Sequence, residues 1–307
     1  MTPRPRTVLL GLAAAAAVAL AGVVATVAPG SPLPAALGRA ERPSVSSGEA
    51  VPAVLDDPVV RIAVAGDTGT GEPAEALTAE SMAAQSQADP YDALVLLGDL
   101  VYPDGDSALV KDVVLDPFAP VLRQGAELVP VLGNHDYQSG EQGQIMTALG
   151  RDAPWYEAQV GPVRILVLDS SRVDDPDQTR WLRDALAAPQ PSGTWTLAAM
   201  HHPAYSAGQH GSDMAVRAAW APLFADHDVP LVLAGHDHDY QRSLPQDGVT
   251  YVVSGAGAKL RPAGREDFTA VSASTLHYVD LLVFDDRLEG RAVDQSGRLV
   301  DTFTITR

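Results

Sequence analysis

Short apolar runs recur along this chain, and each of five is followed at once by a small polar cluster. After Val59–Ala65 comes Gly66-Asp67-Thr68-Gly69, and after Ala93–Leu97 comes Gly98-Asp99-Leu100-Val101-Tyr102. After Leu128–Leu132 comes Gly133-Asn134-His135-Asp136. Later come His201-His202-Pro203, behind Leu197–Met200, and Gly235-His236-Asp237-His238, behind Leu231–Ala234. Buried runs of this length read as strands. In open α/β sheets ligands bind outside the carboxyl ends of the strands, so the five clusters should converge on one crevice. Glycine stands beside the polar residue in four of them, which lets the backbone turn sharply near a ligand.

The remaining pattern fits that frame. Val163–Leu168 adds a strand, and Glu75–Gln87, Gln178–Ala188 and Met214–Phe224 read as helices, with Asp177 as the N-cap of the second. From Val249 the pattern changes to hairpins: Tyr251–Ser254, Tyr278–Phe284, Gly290–Asp294 and Leu299–Ile305, with turns at Asp285-Asp286 and Ser296-Gly297. Strand–helix alternation followed by hairpins predicts an α/β fold, a layered αββα sandwich of two mixed β-sheets flanked by helices. No internal repeat and no second domain boundary is visible within 59–307.

Before Val59 the sequence is of another kind. Arg4 and Arg6 precede the apolar run Val8–Ala28, which reads as an export signal. The run exceeds a usual signal core and approaches the ~20 residues that span a bilayer. A cleaved signal and an uncleaved membrane anchor over residues 8–28 therefore both stay open, with Ala25, Ala28 and Ala36 as candidate cleavage points. Residues 29–58 are rich in Pro, Ala, Ser and Gly and read as a disordered tether. The expected location is outside the cell membrane, secreted or held at the envelope.

Composition removes whole classes of chemistry. The chain of 307 residues has no cysteine, which excludes disulfide scaffolds, Cys-ligated zinc, iron–sulfur clusters and thiol catalysis. Its 39 acidic and 21 basic side chains leave a net charge of −18, so no nucleic-acid partner is expected. If the substrate is an anion, something local must overcome that repulsion.

Asp, Asn, His and Tyr in one pocket suit hard or borderline metal ions. Asp67, Asp99, Asn134, Tyr102 and at least three histidines are too many donors for one ion, but they fit two ions sharing a carboxylate. Taken singly the signals differ in strength. A Gly-Asp pair is usually a turn, and Asn134-His135-Asp136 alone reads as a polar loop. His236 and His238, two apart and beside glycine, are unusual outside a metal site. His227 reads as a surface residue at a helix end, and His277 as a structural residue opening a strand.

The series GDTG, GDLVY, GNHD, HHP and GHDH resembles the calcineurin-like metallophosphoesterases, and within them the purple acid phosphatases. Two features carry the finer likeness: Gly-Asp-Thr-Gly where most of the superfamily has Asp-x-His, and Tyr102 three residues after Asp99. The resemblance covers Asp67 to His238. It implies that Asp67, Tyr102 and His238 hold one ion, expected to be Fe(III), and that Asn134, His201 and His236 hold the second, Fe(II), Zn or Mn. Asp99 would bridge them. His135 would stand beside the phosphate without binding metal, and His210 would be a further substrate-side histidine. His202 falls at a variable position of the motif and is a further catalytic candidate. Asp136 replaces a glutamate common in this branch, and the preceding β-sandwich of the large plant enzymes is not expected, since a tether precedes Val59.

The implied reaction is hydrolysis of a small phosphomonoester by in-line attack of metal-bound hydroxide, with His135 as general acid. A phosphodiesterase or nuclease on the same scaffold is the nearest alternative. A catalytically dead scaffold that binds a partner protein is another, although such a protein should have lost ligands.

Overall fold

The computed structural model describes residues 49–52 and 56–307. The expected export signal or anchor, and most of the expected tether, lie outside the described residues. Among those described, no helix is long and apolar enough to cross a membrane.

Alternation along the strands sets the layers. In β1 (Val60–Ala65), Val60, Ile62 and Val64 face one side, while Ala63 and Ala65 face the other. All six are buried, so this strand must be covered on both faces. β2 (Ala93–Leu97) and β3 (Glu127–Val131) lie parallel beside it. On its other edge β1 pairs antiparallel with β11 (His277–Val283), followed outward by β12 (Arg287–Asp294) and β13 (Leu299–Thr306). The order of this six-stranded sheet is β13-β12-β11-β1-β2-β3.

The second sheet has seven strands. A parallel set, β5 (Val163–Val167), β6 (Trp195–Ala199), β7 (Leu231–Ala234) and β9 (Thr250–Ser254), forms its centre. β4 (Tyr156–Val160) closes one edge, and β8 (Tyr240–Ser243) with β10 (Thr269–Ala273) closes the other. Between the sheets lies a core built of residues such as Ile62, Leu97, Ile165, Leu197 and Leu233. The outer face of the first sheet is covered by α1 (Pro73–Gln85), α2 (Asp116–Leu122) and α3 (Gln142–Ala148), through Met82, Phe118 and Ile145. The outer face of the second is covered by α4 (Pro176–Ala187) and α5 (Met214–Asp226), through Leu182, Trp220 and Phe224. The architecture is thus the expected αββα sandwich of two mixed sheets.

Local differences from the sequence reading have physical causes. α4 is capped by Asp175, not Asp177: the Asp175 carboxylate accepts the backbone N–H groups of Asp177 and Gln178, and Pro176 opens the first turn. α1 likewise begins at Pro73, two residues before the expected start. Strands β4, β8 and β10 lack the apolar runs that mark the others, because they lie at the edges of the second sheet or beside them. Part of the stretch read as tether is placed on the sandwich. Ala50 forms a β-bridge with Arg298, and the Pro52 carbonyl accepts from Arg291.

Candidate metal centre

The two parallel sets bring their carboxyl ends to the same place. The Gly66 N–H, just past β1, donates to the Ser254 carbonyl at the end of β9 (2.7 Å), which joins the two sheets there. Around this junction stand the loops after β1, β2, β3, β6 and β7, and all seven expected ligands are among them.

Their atoms fall into two groups on either side of Asp99. Tyr102 Oη donates to Asp99 Oδ2 (2.7 Å) and lies 3.2 Å from Asp67 Oδ1 and 3.3 Å from His238 Nε2. His238 Nε2 is in turn 3.3 Å from Asp67 Oδ1. In the second group, His201 Nε2 stands 3.1 Å from Asn134 Oδ1, 3.2 Å from His236 Nδ1 and 3.5 Å from Asp99 Oδ1. One oxygen of Asp99 therefore faces each group.

The loops are built to hold this arrangement. Asp67, Asp99 and His236 all adopt left-handed backbone conformations, with φ of 58°, 52° and 72°. For residues other than glycine this costs roughly 1–3 kcal/mol each, and it persists where surrounding bonds over-determine it. Here Asp67 N–H donates to the Gly98 carbonyl, and Asp67 Oδ2 accepts from His236 N–H (2.8 Å). Asp99 Oδ1 accepts the His135 N–H (2.9 Å). A Cβ at Gly133 would run into the backbone of Asp99, which explains glycine at the third cluster. Asp136, buried, ties the second and third loops together by accepting the N–H groups of Leu100, Val101 and Gly133. Burial and the nearby charge of Asp99 push its carboxyl up to about 8.

The electrostatics suit cations. His201 Nδ1 donates to the Leu97 carbonyl (2.8 Å), which leaves the Nε2 lone pair aimed inward. Burial, then neighbouring positive groups, push His238 down to about 4 and His236 lower still, so both rings are neutral ligands in waiting. Burial pushes the Asp67 carboxyl well above its ordinary range. It pushes Asp99 up too, but the His201 ring, the His135 N–H and the Tyr102 hydroxyl together hold Asp99 below its usual value. Burial and the two carboxylates push the Tyr102 hydroxyl far up. The cluster holds more lone pairs than protons, and Asp67, Asp99 and His201 have ligand atoms within 4.8 Å of one another. These residues fit a pair of hard or borderline metal ions.

The expected substrate-side histidines surround this cluster. His135 is partly exposed. Its Nε2 lies 3.9 Å from Asp99 Oδ2, and its Nδ1 contacts the Pro103 carbonyl. The exposed His210 ring packs 4.4 Å from that of His236. His202 is closer in than its sequence position suggested: it joins His201 and His236 in a second group whose ligand atoms fall within 4.8 Å. Its Nδ1 shares a hydrogen bond with Ser170 Oγ (2.9 Å), and burial pushes the ring down to about 4. His227 lies exposed at the end of α5, as expected. His277 is buried against Ser254 and Thr275, a structural residue as read from sequence.

Other groups at the centre escaped the sequence reading. Asp237 lies between the two ligand histidines, and its carboxylate accepts from Ser206 Oγ and from the N–H groups of His210 and Gly211, fixing the loop that carries His210. Lys259 Nζ sits 3.5 Å from the centroid of the Tyr102 ring, and Arg261 Nε contacts His238 Nδ1 at 3.2 Å. Both follow β9, a sixth strand end with no acidic or histidine signature.

Parts of this sequence and its fold are shared with known proteins. The sequence model described as calcineurin-like phosphoesterase matches residues 60–240. The chain is 34% identical over 180 residues to a cAMP/cGMP dual specificity phosphodiesterase of Mycobacterium tuberculosis, covering 54% of this chain and 54% of that one. It is 38% identical over 88 residues to tartrate-resistant acid phosphatase type 5 of Homo sapiens, covering 29% of this chain and 26% of that one. The matches thus span from about a quarter to about half of those relatives' own length. Among solved structures, a purple acid phosphatase from yellow lupin (Lupinus luteus) seeds aligns with a TM-score of 0.71 at 21% identity, over 82% of this chain and 54% of that one. At that identity the likeness is one of fold.

Proposed function

Because the chain belongs to the calcineurin-like phosphoesterase family, a family of metal-dependent phosphohydrolases, we propose that it hydrolyses small phosphomonoesters at a dinuclear centre of the purple acid phosphatase kind. One observation carries this reading: the Asp99 carboxylate has one oxygen toward Asp67, Tyr102 and His238, and the other toward Asn134 and His201, with His236 beside them. The first group would hold Fe(III), the second Fe(II), Zn or Mn, and Asp99 would serve both. When bound, the two ions would take up phosphate oxygens, lower the pKa of water and offset the charge of the transition state.

The chain's own residues do the rest. His135 reaches into solvent from a loop whose N–H is fixed to Asp99, so its ring can meet the leaving oxygen and protonate it. His210, held through Asp237, would orient the substrate from the opposite loop. His202, neutral at physiological pH and steadied by Ser170, would accept or donate a hydrogen bond rather than supply an imidazolium proton. We further propose, from Arg4, Arg6 and the Val8–Ala28 run, that the domain works outside the cell membrane.

The phosphodiesterase reading is kept in view by the mycobacterial relative. The deciding experiment is turnover of para-nitrophenyl phosphate against bis(para-nitrophenyl) phosphate by the purified protein. Faster monoester turnover supports the proposal; a preference for the diester replaces it with the alternative.

A further inference from the structure

The segment after β9 is fastened to the metal centre without supplying a ligand to it. Gly257 N–H donates to the Gly66 carbonyl (3.1 Å), and Arg261 N–H donates to the His238 carbonyl (2.8 Å). The Arg261 carbonyl accepts from Ser274 Oγ (2.7 Å). A Cβ at Gly255 would stand 2.8 Å from Asp67 Oδ2, so only glycine lets the segment pass this close. What the segment delivers is two cations, Lys259 over the Tyr102 ring and Arg261 against His238.

Three features bear on what these cations can do. Lys259 is one of only two lysines in the sequence. Both side chains are half-buried. Among the described residues neither makes an ion pair, whereas Arg61, Arg151, Arg242, Arg287 and Arg291 all do. In a chain of net charge −18, two partly desolvated cations without ion-pair partners, one against Tyr102 and one against His238, cost stability. They are also what a site needs to draw in an anion against the field of the whole molecule.

On the phosphomonoesterase reading, we infer that Lys259 and Arg261 form a second anion subsite, which favours substrates carrying a further anionic group on the portion that leaves. Separate demands divide the work: the metal centre takes the scissile phosphate, and the cationic edge reads the charge beyond it.

The test compares anions with and without a second anionic group. Calorimetric binding of inorganic phosphate and of pyrophosphate is measured on the metal-loaded wild type, Lys259→Met, Arg261→Met and Lys259→Arg. In parallel, kcat/KM is measured for glycerol 3-phosphate and 3-phosphoglycerate. Pyrophosphate's advantage over phosphate should fall by about tenfold in each neutral variant, the scale of one charge-assisted hydrogen bond, and return in Lys259→Arg. A parallel fall for 3-phosphoglycerate against glycerol 3-phosphate shows that a carboxylate is read as well; a fall confined to pyrophosphate shows that the subsite takes phosphate. Equal weakening of phosphate and pyrophosphate would overturn the inference, because the cations would then hold the scissile phosphate itself. An unchanged advantage would overturn it too. A wild type that prefers pyrophosphate through Lys259 but turns over neither phosphomonoester would remove the proposed function while leaving the subsite standing.

Discussion

At the scale of single residues, Asp99 and His135 lie within 4 Å of each other yet are assigned opposite work. Asp99→Ala removes the carboxylate that turns one oxygen to each donor group, so elemental analysis should show loss of metal. His135→Ala should keep both ions and slow turnover of alkyl phosphates by roughly 10²–10⁴-fold, with a much smaller loss for an aryl phosphate whose phenolate leaves unaided. A His135→Ala protein that loses metal as Asp99→Ala does would make His135 a ligand. Tyr102 gives a spectroscopic check. Its place against Asp67, Asp99 and His238 predicts tyrosinate-to-Fe(III) colour in the oxidised protein, and Tyr102→Phe should bleach it. The residues legible in sequence were those with a local signature, a polar cluster directly after an apolar run, with glycine beside it in four of the five. Asp136 and Asp237 stand within two of the clusters, but the groups they fasten, Leu100 and Val101 for one and His210 and Gly211 for the other, lie far along the chain, and Lys259 follows a strand end with no such cluster. His202 was legible as a cluster member, but its depth beside His201 and His236 is set by packing against Ser170.

At the scale of elements, most of the strands named from sequence are buried on both faces, and their continuous apolar runs cannot be mistaken for loops; β13, exposed along one face, is marked instead by the Ser296-Gly297 turn before it. The edge strands β4 and β10 of the second sheet, β8 beside β10, and the short helices α2 and α3 were not legible, because their apolar content is low or interrupted by proline, and neighbours decide their conformation. Helix caps are similarly local but ambiguous where several acids crowd together. Asp175→Ala should cost about 1 kcal/mol in denaturant unfolding. Asp177→Ala, which removes only an exposed pair with Arg180, should stay within about 0.5 kcal/mol. Equal costs would contradict the cap assignment. In the first turn of α1, burial pushes the Glu75 carboxyl up to about 7 from its ordinary 4.5, although the Gly71 N–H favours the charged form. The folded protein therefore holds this proton more tightly than the unfolded chain. The contribution to stability is complete below pH 4.5 and is lost as pH rises through 7. Glu75→Gln should raise the melting temperature at pH 8 and leave it nearly unchanged at pH 4; the same shift at both would refute the buried-proton account.

At the scale of the whole molecule, the sandwich turns two parallel strand sets toward one junction, so that loops far apart in sequence share a single electrostatic problem. The acidic surface repels anions, while the paired carboxylates and neutral histidines of the junction call for cations. Metal ions answer the second demand and, with Lys259 and Arg261, the first. The proposed export is checked by cell fractionation with mature N-terminal sequencing: a start between Ala25 and Ser44 indicates release, a retained N-terminus with membrane fractionation indicates an anchor, and full-length protein in the cytosol contradicts export. The two-ion centre divided by Asp99 is tested most directly by metal stoichiometry followed through chelation. The account predicts two ions per chain, phosphomonoester turnover that disappears as they are removed, and recovery when both are restored. Full turnover with one ion or none per chain would contradict it.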